Sequence, residues 1–206
     1  MKILVSVFNN LYTDQRVEKF CKTLHENAYQ IEVIGNNWGG NPEMKRPYPF
    51  SRISLQSKKL RFAYLEFQWK LFFELLKKAD RNTILHANDL DALLPNYLVS
   101  KIKGIPLVWD SHEIFTEMPT VTNRWVQHVW RLLENALIRK IKYFITANDS
   151  YANWFETNYK IKRPIVIRNF PQKLESPKNF VENNPKVILY QGTINYSRGI
   201  DKMIEA

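Results

Sequence analysis

The stretch IPLVWDSHEIFTE (residues 105–117) is an apolar run that ends abruptly in polar side chains. Such a run is typical of a strand that is buried in a parallel sheet. In open α/β sheets, ligands bind just beyond the carboxyl ends of the strands. His112 is therefore a candidate for chemistry, with Asp110, Ser111 and Glu113 beside it. The alternative is that Asp110 and Ser111 form a turn and that His112 satisfies a loop carbonyl.

Apolar runs that end in polar residues recur along the chain and alternate with helical patterns. This alternation predicts an α/β fold, a Rossmann-like parallel sheet with helices on both faces. The predicted strands cover residues 2–8, 30–34, 51–55, 83–87, 107–109, 143–147, 165–167 and 186–191. The predicted helices are one capped at Thr13-Asp14, then residues 59–78, 90–102, 123–141 and 151–158, and one that starts at 199. Pro95 is expected to kink the helix at 90–102 or to delay its start.

Polar residues directly follow five of the predicted strands, as Asn9-Asn10, Asn88-Asp89, Asp110-Ser111-His112, Asn148-Asp149 and Arg168-Asn169. Because parallel strands end at the same edge of a sheet, we expect these residues to share one edge, which we call the rim. An edge rich in amides, carboxylates and helix N-termini suits hydroxyl-rich or phosphate-bearing ligands. The alternative for each single residue is that it only caps the helix that follows.

The chain is strongly basic, with a net charge of +10 over 206 residues and a pI of about 9.6. This charge suits anionic partners such as nucleic acid, anionic lipid or phosphorylated substrates, although much of it also fits solvated helix surface. The single cysteine, Cys21, excludes an internal disulfide and a cysteine-based zinc site. The sequence has neither a signal-peptide pattern nor an apolar stretch of about 20 residues, so we expect a cytoplasmic protein.

Asp89-Leu90-Asp91 matches the Asp-x-Asp pattern that can hold magnesium or manganese. The pattern is short, and the helix dipole favours aspartate at a helix start, so we interpret these residues as capping and rim lining. His86 and His112 lack a metal-binding spacing, and His86 is expected to pack within its strand. Asn9-Asn10 stand where a dinucleotide-binding Gly-x-Gly-x-x-Gly would begin. We therefore predict neither a metal nor a nicotinamide or flavin cofactor.

Two predicted helices carry marked apolar faces. In the helix at 59–78, one face holds Leu60, Tyr64, Phe67, Leu71 and Leu75. The same region interleaves basic and aromatic residues, namely Lys58, Lys59, Arg61, Phe62, Phe67, Trp69, Phe72 and Phe73. Such a helix can lie on an anionic membrane or stack nucleic-acid bases, but we favour a helix buried against the sheet with a basic outer face. In the helix at 123–141, the inward positions are predicted to be Val126, Val129, Leu133, Ala136 and Leu137.

The end of the chain has a different character. Pro171, Pro177 and Pro185 indicate a linker over residues 171–185. One strand and one short helix after it cannot make a core, since isolated helices below about 12 residues are marginal. We therefore predict a domain at residues 1–170 and the start of a second domain at 186–206.

Segments from the whole chain resemble group 1, or family 4, glycosyltransferases. They are TDQRV (13–17), ANDLD (87–91), VWDSHEIFTE (108–117), VIRNFP (166–171) and a late Gly192…RGID (198–201). Members of this family have the GT-B architecture, in which two Rossmann-like domains face each other across a cleft. The resemblance implies that residues 1–170 form the acceptor-side domain and that residues 186–206 begin the donor-side domain.

The resemblance also implies a retaining transfer of a sugar from a nucleotide-sugar, without a metal or cofactor. His112 matches the cleft histidine that contacts the transferred sugar and supports developing charge. Gly192, Arg198 and Gly199 match the loop that holds the donor diphosphate. The expected acceptor and cleft contacts at the rim are Asn9, Asn10, Asp14, Arg16, Asn88, Asp89, Asp110, Ser111, Glu113, Asn148, Arg168 and Asn169.

The chain departs from the family pattern at two places. Thr193 follows Gly192, where many relatives carry a basic residue, which puts the strength of diphosphate binding in question. Asn9-Asn10 replace the Gly-Gly loop of many relatives and suggest a different acceptor contact. The donor-site carboxylate motif of the family would lie beyond Ala206, so the 206-residue chain alone is expected to be inactive.

The expected partners are a nucleotide-sugar and a glycan or lipid-linked acceptor in polysaccharide biosynthesis. Peripheral contact with the anionic inner face of the cell membrane is a further expectation, and nucleic acid is not expected. Two alternatives stay open at this point. One is a non-catalytic basic module that binds a phosphorylated or nucleic-acid ligand, and the other is a sugar-nucleotide epimerase of the same architecture.

Overall fold

A parallel sheet organises the chain. The computed structural model describes residues 1–171, 189–190 and 199–205. Within these residues the strands are β1 (Lys2–Ser6), β2 (Gln30–Asn36), β3 (Phe50–Ile53), β4 (Thr83–Asn88), β5 (Leu107–Ser111), β6 (Tyr143–Thr146) and β7 (Ile165–Val166). All of them pair in parallel, in the order β3-β2-β1-β4-β5-β6-β7. The predicted Rossmann-like sheet is therefore confirmed.

Helices cover both faces of the sheet, as predicted. In the described residues they are α1 (Gln15–Glu26), α2 (Leu60–Lys78), α3 (Asp89–Lys103), α4 (Trp125–Leu137), α5 (Asp149–Tyr159) and α6 (Ile200–Glu205), with 3₁₀-helices at Phe115–Glu117 and Ile138–Lys140. α1 packs on one face of the sheet, and α2 to α5 pack on the other. None of these helices combines the length and the apolar character needed to cross a bilayer.

The side chains of β1 point alternately to the two faces of the sheet, which explains why the core has two layers. Ile3 and Val5 pack with Val17 and Cys21 of α1, whereas Leu4 between them packs on the opposite face. Leu4 is fully buried, and burying a leucine side chain contributes about 1.5–3 kcal/mol. A slip of β1 by one residue would exchange the two faces, so this alternation fixes the register of the strand.

The chain divides into two units, Met1–Asn169 and Phe170–Ala206. The first unit contains the sheet and α1 to α5. In the second unit, α6 follows Gly199, whose φ of 66° lies in the left-handed region. Gly192, Arg198, the predicted linker after Pro171 and most of the predicted strand at 186–191 lie outside the described residues. The predicted domain limits therefore stay predictions.

α3 begins at Asp89 and continues through Pro95 to Lys103. One of the two expectations, that Pro95 delays the start of the helix, is wrong. The proline ring removes one helical hydrogen bond, but Leu90 and Leu93 ahead of it are fully buried and hold the first turns against the sheet.

α2 buries Phe67, Leu71 and Leu75 as predicted. Leu60 is exposed, so the predicted inward face is wrong at this residue. The physical reason is its position, because Leu60 is the first helical residue and Ala63 is the first buried residue of the helix.

The inward face of α4 differs from the predicted one. Val129 and Ala136 are exposed, whereas Gln127 and Glu134 are buried beside Leu137. Periodicity assigns polar side chains to the surface, and here tertiary hydrogen bonds overrule it. Gln127 Nε2 donates to the Thr116 carbonyl at 2.8 Å, and the hydroxyls of Thr116 and Tyr159 both donate to Glu134 Oε2.

Burial of Glu134 predicts a pH-dependent stability. Burial raises the pKa of its carboxyl from 4.5 to about 7, although the hydroxyls of Tyr159 and Thr116 oppose the shift. Between these two values the folded chain holds a proton that the unfolded chain releases. The free energy of unfolding should therefore be highest below the unfolded pKa and fall by roughly 3 kcal/mol as the pH rises through the folded pKa.

Urea unfolding at about pH 5 and about pH 8 measures this fall. Glu134→Gln should remove it, and Glu117→Gln, a change at a less buried carboxyl nearby, should leave it in place. An unchanged pH dependence in Glu134→Gln would assign the effect to other groups.

Candidate functional site

The rim exists as one edge of the sheet. All strands run in parallel, so the ends of β1, β4, β5, β6 and β7 lie on the same side. Direct bonds connect several of them, because Arg16 of α1 bonds both Asp110 at the end of β5 and the Ile167 carbonyl after β7. The structure therefore brings together most of the predicted rim residues. Gly199 belongs to the second unit.

A buried ion pair lies at the centre of the rim. Arg16 Nη2 donates to Asp110 Oδ1 at 2.7 Å and Nε donates to Oδ2 at 3.1 Å, which makes the pair bidentate. Arg16 Nη1 donates to the Ile167 carbonyl at 2.6 Å. Asp110 is fully buried and Arg16 is only 8% exposed. Such charge-assisted bonds have a fixed fork geometry, so the pair holds α1 in place against the sheet.

His86 lies beside this pair and is packed, as predicted. Its ring contacts Phe20 of α1, and its Nε2 lies 3.9 Å from Asp110 Oδ2. Burial lowers the pKa of His86 to about 4, against the opposing attraction of Asp110. The imidazole is therefore neutral near neutral pH and contributes packing to the floor of the rim.

Protein oxygens face both ring nitrogens of His112. Nε2 lies 3.1 Å from Asn88 Oδ1, and the Asn88 amide nitrogen donates to the Ser6 carbonyl. That bond turns the Asn88 oxygen toward the imidazole, so Nε2 is the donor. Nδ1 lies 3.4 Å from Asp89 Oδ2. The ring is thus fixed in orientation while 16% of the side chain stays exposed at the rim.

Asp89 fixes the backbone of the same segment. Its Oδ1 accepts the His112 N–H at 2.9 Å, and its carbonyl accepts Trp109 Nε1 at 3.2 Å. Asp89 has a left-handed φ of 59°, which costs a residue with a side chain about 1–3 kcal/mol. Neither Asn88 nor Asp89 caps α3 with its side chain. The capping interpretation is wrong for both residues, because their side chains bond the Ser6 carbonyl of β1 and His112 instead.

The two carboxylates of the Asp-x-Asp pattern have separate environments. Burial raises the pKa of Asp89, and the nearby His112 lowers it in part. Burial, with repulsion from Asp89, raises the pKa of Asp91 well above its ordinary value. Among the described residues, Asp91 Oδ1 has no hydrogen-bond donor, and no group of three His, Cys, Asp or Glu side chains is arranged to hold a metal ion.

Asn9 and Asn10 order the loop after β1. Asn9 Oδ1 accepts the Leu11 N–H, and Asn10 Oδ1 accepts the Tyr12 N–H. Asn9 Nδ2 also donates to Asp14, whose other oxygen caps α1 at Val17. The side chains of Asn9, Asn10 and Asp14 therefore fix the loop itself, with one carboxylate as the predicted helix cap.

Gly35 of β2, which packs against this loop, is a residue that sequence reasoning missed. A Cβ at Gly35 would lie 2.6 Å from the Asn9 carbonyl oxygen and from Leu11 Cγ. The loop after β1 can therefore pack on β2 only above a glycine. Its only sequence signal is a glycine at the end of a predicted strand.

The remaining rim residues lie at and after the ends of β5, β6 and β7. Asn148 caps α5 by accepting the Tyr151 N–H at 2.8 Å, and exposed Arg168 pairs with Asp149. Asn169 accepts a bond from Lys19 of α1 at 3.1 Å. In the β5 loop, Ser111 Oγ donates to the Glu113 carbonyl, and the Glu113 side chain is exposed.

The parallel Rossmann-like sheet of this chain also occurs in several solved structures. Solved structures share the fold at low identity. A sucrose-phosphate synthase structure from Thermosynechococcus elongatus has a TM-score of 0.56 and 10% sequence identity to this chain. The match covers 82% of this chain and 87% of that one. A glycosyltransferase from Rickettsia africae ESF-5 has a TM-score of 0.53 at 17% identity, and the match covers 81% of this chain and 42% of that one.

A UDP-GlcNAc 2-epimerase from Methanocaldococcus jannaschii has the same fold, with a TM-score of 0.51 at 12% identity over 82% of this chain and 45% of that one. The chain thus spans less than half the length of two of these three proteins. No curated protein was found to match. The profile of Glycosyltransferase Family 4 matches residues 14–170, and the chain belongs to that family.

Proposed function

We propose that this chain is the acceptor-side part of a retaining glycosyltransferase. The enzyme would move a hexose from a nucleotide-sugar to a glycan or lipid-linked acceptor in polysaccharide biosynthesis. Family membership supports sugar transfer. The observation that carries the proposal is the fixed orientation of His112, whose ring nitrogens face Asn88 and Asp89 while part of the side chain stays exposed at the rim.

The chemistry proposed for His112 is contact with the transferred sugar and electrostatic support of the charge that develops on it. An imidazole whose orientation is fixed before the substrate binds pays little reorganisation when charge develops on the sugar. Because both nitrogens already face protein oxygens, the ring suits charge stabilisation better than free proton abstraction. The guanidinium of Arg16 bonds both oxygens of the buried Asp110 carboxylate. Asp110 therefore does not compete with Asn88 and Asp89 for the imidazole nitrogens.

The donor side of the proposal rests on the family resemblance. Gly192, Arg198 and Gly199 would hold the donor diphosphate, with a cation and backbone amides that stabilise the leaving group. We propose that the transfer needs neither a metal nor an organic cofactor. We also propose that the 206-residue chain is inactive unless a donor-side domain completes the cleft.

Transfer assays with a panel of nucleotide-sugars and lipid-linked or glycan acceptors test this function. The enzyme that combines this chain with its donor-side domain should transfer one sugar with the anomeric configuration retained, as read by NMR of the product. A chelator of divalent metal ions should not change the rate of transfer. The 206-residue chain alone should show no sugar transfer.

Three results would contradict the proposal. Inversion of the anomeric carbon would exclude the retaining mechanism. Inversion of configuration at a ring carbon of the donor sugar, without transfer to an acceptor, would identify an epimerase. Binding to nucleic acid that weakens steeply with salt, without any transfer, would identify a basic binding module.

A further inference from the structure

α2 and α4 present large apolar side chains to the outside. On α2 these are Phe62, Leu65, Trp69 and Phe73, at helical spacing along one stripe. On α4 they are Trp125, Val129 and Leu132, which form a second stripe. Trp69 is 66% exposed, Trp125 67% and Leu132 73%. We call these seven residues the apolar face. The predicted basic outer surface of α2 is thus only part of what the helix shows.

A groove connects the two stripes. It has a volume of about 760 Å³, with Phe62 and Leu65 on one side, Trp125 and Val129 on the other, and Leu94 of α3 among its lining residues. Single exposed apolar residues are normal on a protein surface, but contiguous patches mark interaction sites. The two stripes with the groove between them form such a patch.

Positive charge surrounds the apolar face. Exposed cations stand at the start of α2 and α4 and at the end of α2, namely Lys58, Lys59, Arg61, Arg124 and Lys77. The two acidic residues of α2 are Glu66 and Glu74, and each lies within ion-pair distance of a lysine one turn later. The buried Glu134 is the one acidic residue within α4. The surface around the apolar face is therefore basic.

We propose that the apolar face rests on the interface of a lipid bilayer that contains anionic lipids. Helices that lie in a bilayer interface combine Trp, Phe and Leu on one side with Lys and Arg around it. Tryptophan is enriched at the level of the lipid head groups, and each nearby cation adds about 1 kcal/mol of attraction to an anionic surface. The outward apolar residues and the surrounding cations match both requirements.

A second copy of the chain fits this surface less well. In a symmetric pair the same patch faces itself, so the cations around the two copies would meet and repel. Protein interfaces are also depleted of lysine, whereas this surface has Lys58, Lys59 and Lys77 around it. The membrane is therefore the occupant that the charge favours.

Few residues separate the apolar face from the rim. Trp130 on the inner side of α4 packs its ring on Phe115, which follows His112 by only three residues. The inference concerns binding alone, so its failure would leave the proposed sugar transfer untouched.

Flotation of the full chain with vesicles tests the inference. Vesicles of phosphatidylcholine with about one third phosphatidylglycerol should carry the chain upward at low salt, and pure phosphatidylcholine should carry much less. The double variant Trp125→Ser, Leu132→Gln should partition at least about 10-fold less. Ile165→Gln, at a comparably exposed apolar residue of β7, is the matched control and should float as the wild type does.

A second double variant tests how much the cations around the apolar face contribute to vesicle binding. Lys58→Glu with Lys59→Glu should lower binding to the anionic vesicles and leave the weak binding to pure phosphatidylcholine unchanged. Circular dichroism and size-exclusion chromatography of each variant show whether it folds and whether it is monomeric.

Several results would overturn the inference. One is flotation of Trp125→Ser, Leu132→Gln that equals the wild type. Another is a wild-type dimer that these two substitutions dissociate, with no flotation of the wild type, which would assign the apolar face to a second copy. Equal binding to both kinds of vesicle would remove the anionic lipid from the proposal.

Discussion

Arg16→Met is expected to lower the free energy of unfolding by about 3–5 kcal/mol. The substitution leaves the carboxylate of Asp110 fully buried without its bidentate partner, and it also removes the donor to the Ile167 carbonyl. An uncompensated buried charge costs far more than the pair itself contributes, because no water replaces the lost bonds. Urea unfolding of the chain measures the loss, and the melting temperature should fall by roughly 10 °C.

Two further variants separate this effect from the loss of a side chain. The double variant Arg16→Met, Asp110→Leu removes both charges and should recover most of the lost stability. Arg163→Ala breaks an exposed pair with Asp149 and should cost less than about 1 kcal/mol. If Arg16→Met unfolds no more easily than Arg163→Ala, the buried pair does not have the structural role described here.

The sheet and the rim could be predicted because their signals are local. The run before Asp110 is apolar, the residues after it are polar, and the same change occurs at the other strand ends. Parallel pairing then places these ends at one edge without any knowledge of side-chain contacts. Packing of His86 followed in the same way, since it lies inside an apolar strand.

The contacts within the rim could not be predicted, because they join distant parts of the chain. Arg16 and Asp110 are 94 residues apart, and nothing in either segment specifies the other. Asn88 and Asp89 have the residue types of helix caps, but the tertiary structure uses them for Ser6 and His112. Local propensity indicates which residue types suit a helix cap. The hydrogen-bond partners that the folded chain brings close decide which bond such a side chain makes.

The burial of Glu134 illustrates the same limit on a helix. A periodic pattern predicts Val129 inward, and the structure instead buries the carboxyl of Glu134, whose Oε2 accepts hydrogen bonds from two hydroxyls. The apolar side chains that this arrangement turns outward are part of the apolar face on which the membrane proposal rests. The disagreement between pattern and structure is therefore where an interaction surface is to be sought.

His112→Ala is expected to lower the rate of sugar transfer by about 10²- to 10³-fold in the enzyme that includes the donor-side domain, which corresponds to as much as about 4 kcal/mol. The substitution removes the one imidazole that is held by Asn88 and Asp89 and open to the rim. The loss should appear in kcat, with little change in the KM for the acceptor, because the electrostatic support from the imidazole is strongest when charge develops on the sugar.

Folding should survive His112→Ala, because the lost hydrogen bond to Asn88 is worth only about 1 kcal/mol. His112→Gln keeps a donor and should recover part of the rate, whereas a purely structural role would restore stability without restoring kcat. His25→Ala, an exposed histidine in the last turn of α1, is the matched control and should transfer sugar at the wild-type rate. A His112→Ala enzyme with the wild-type kcat would show that transfer does not depend on this imidazole.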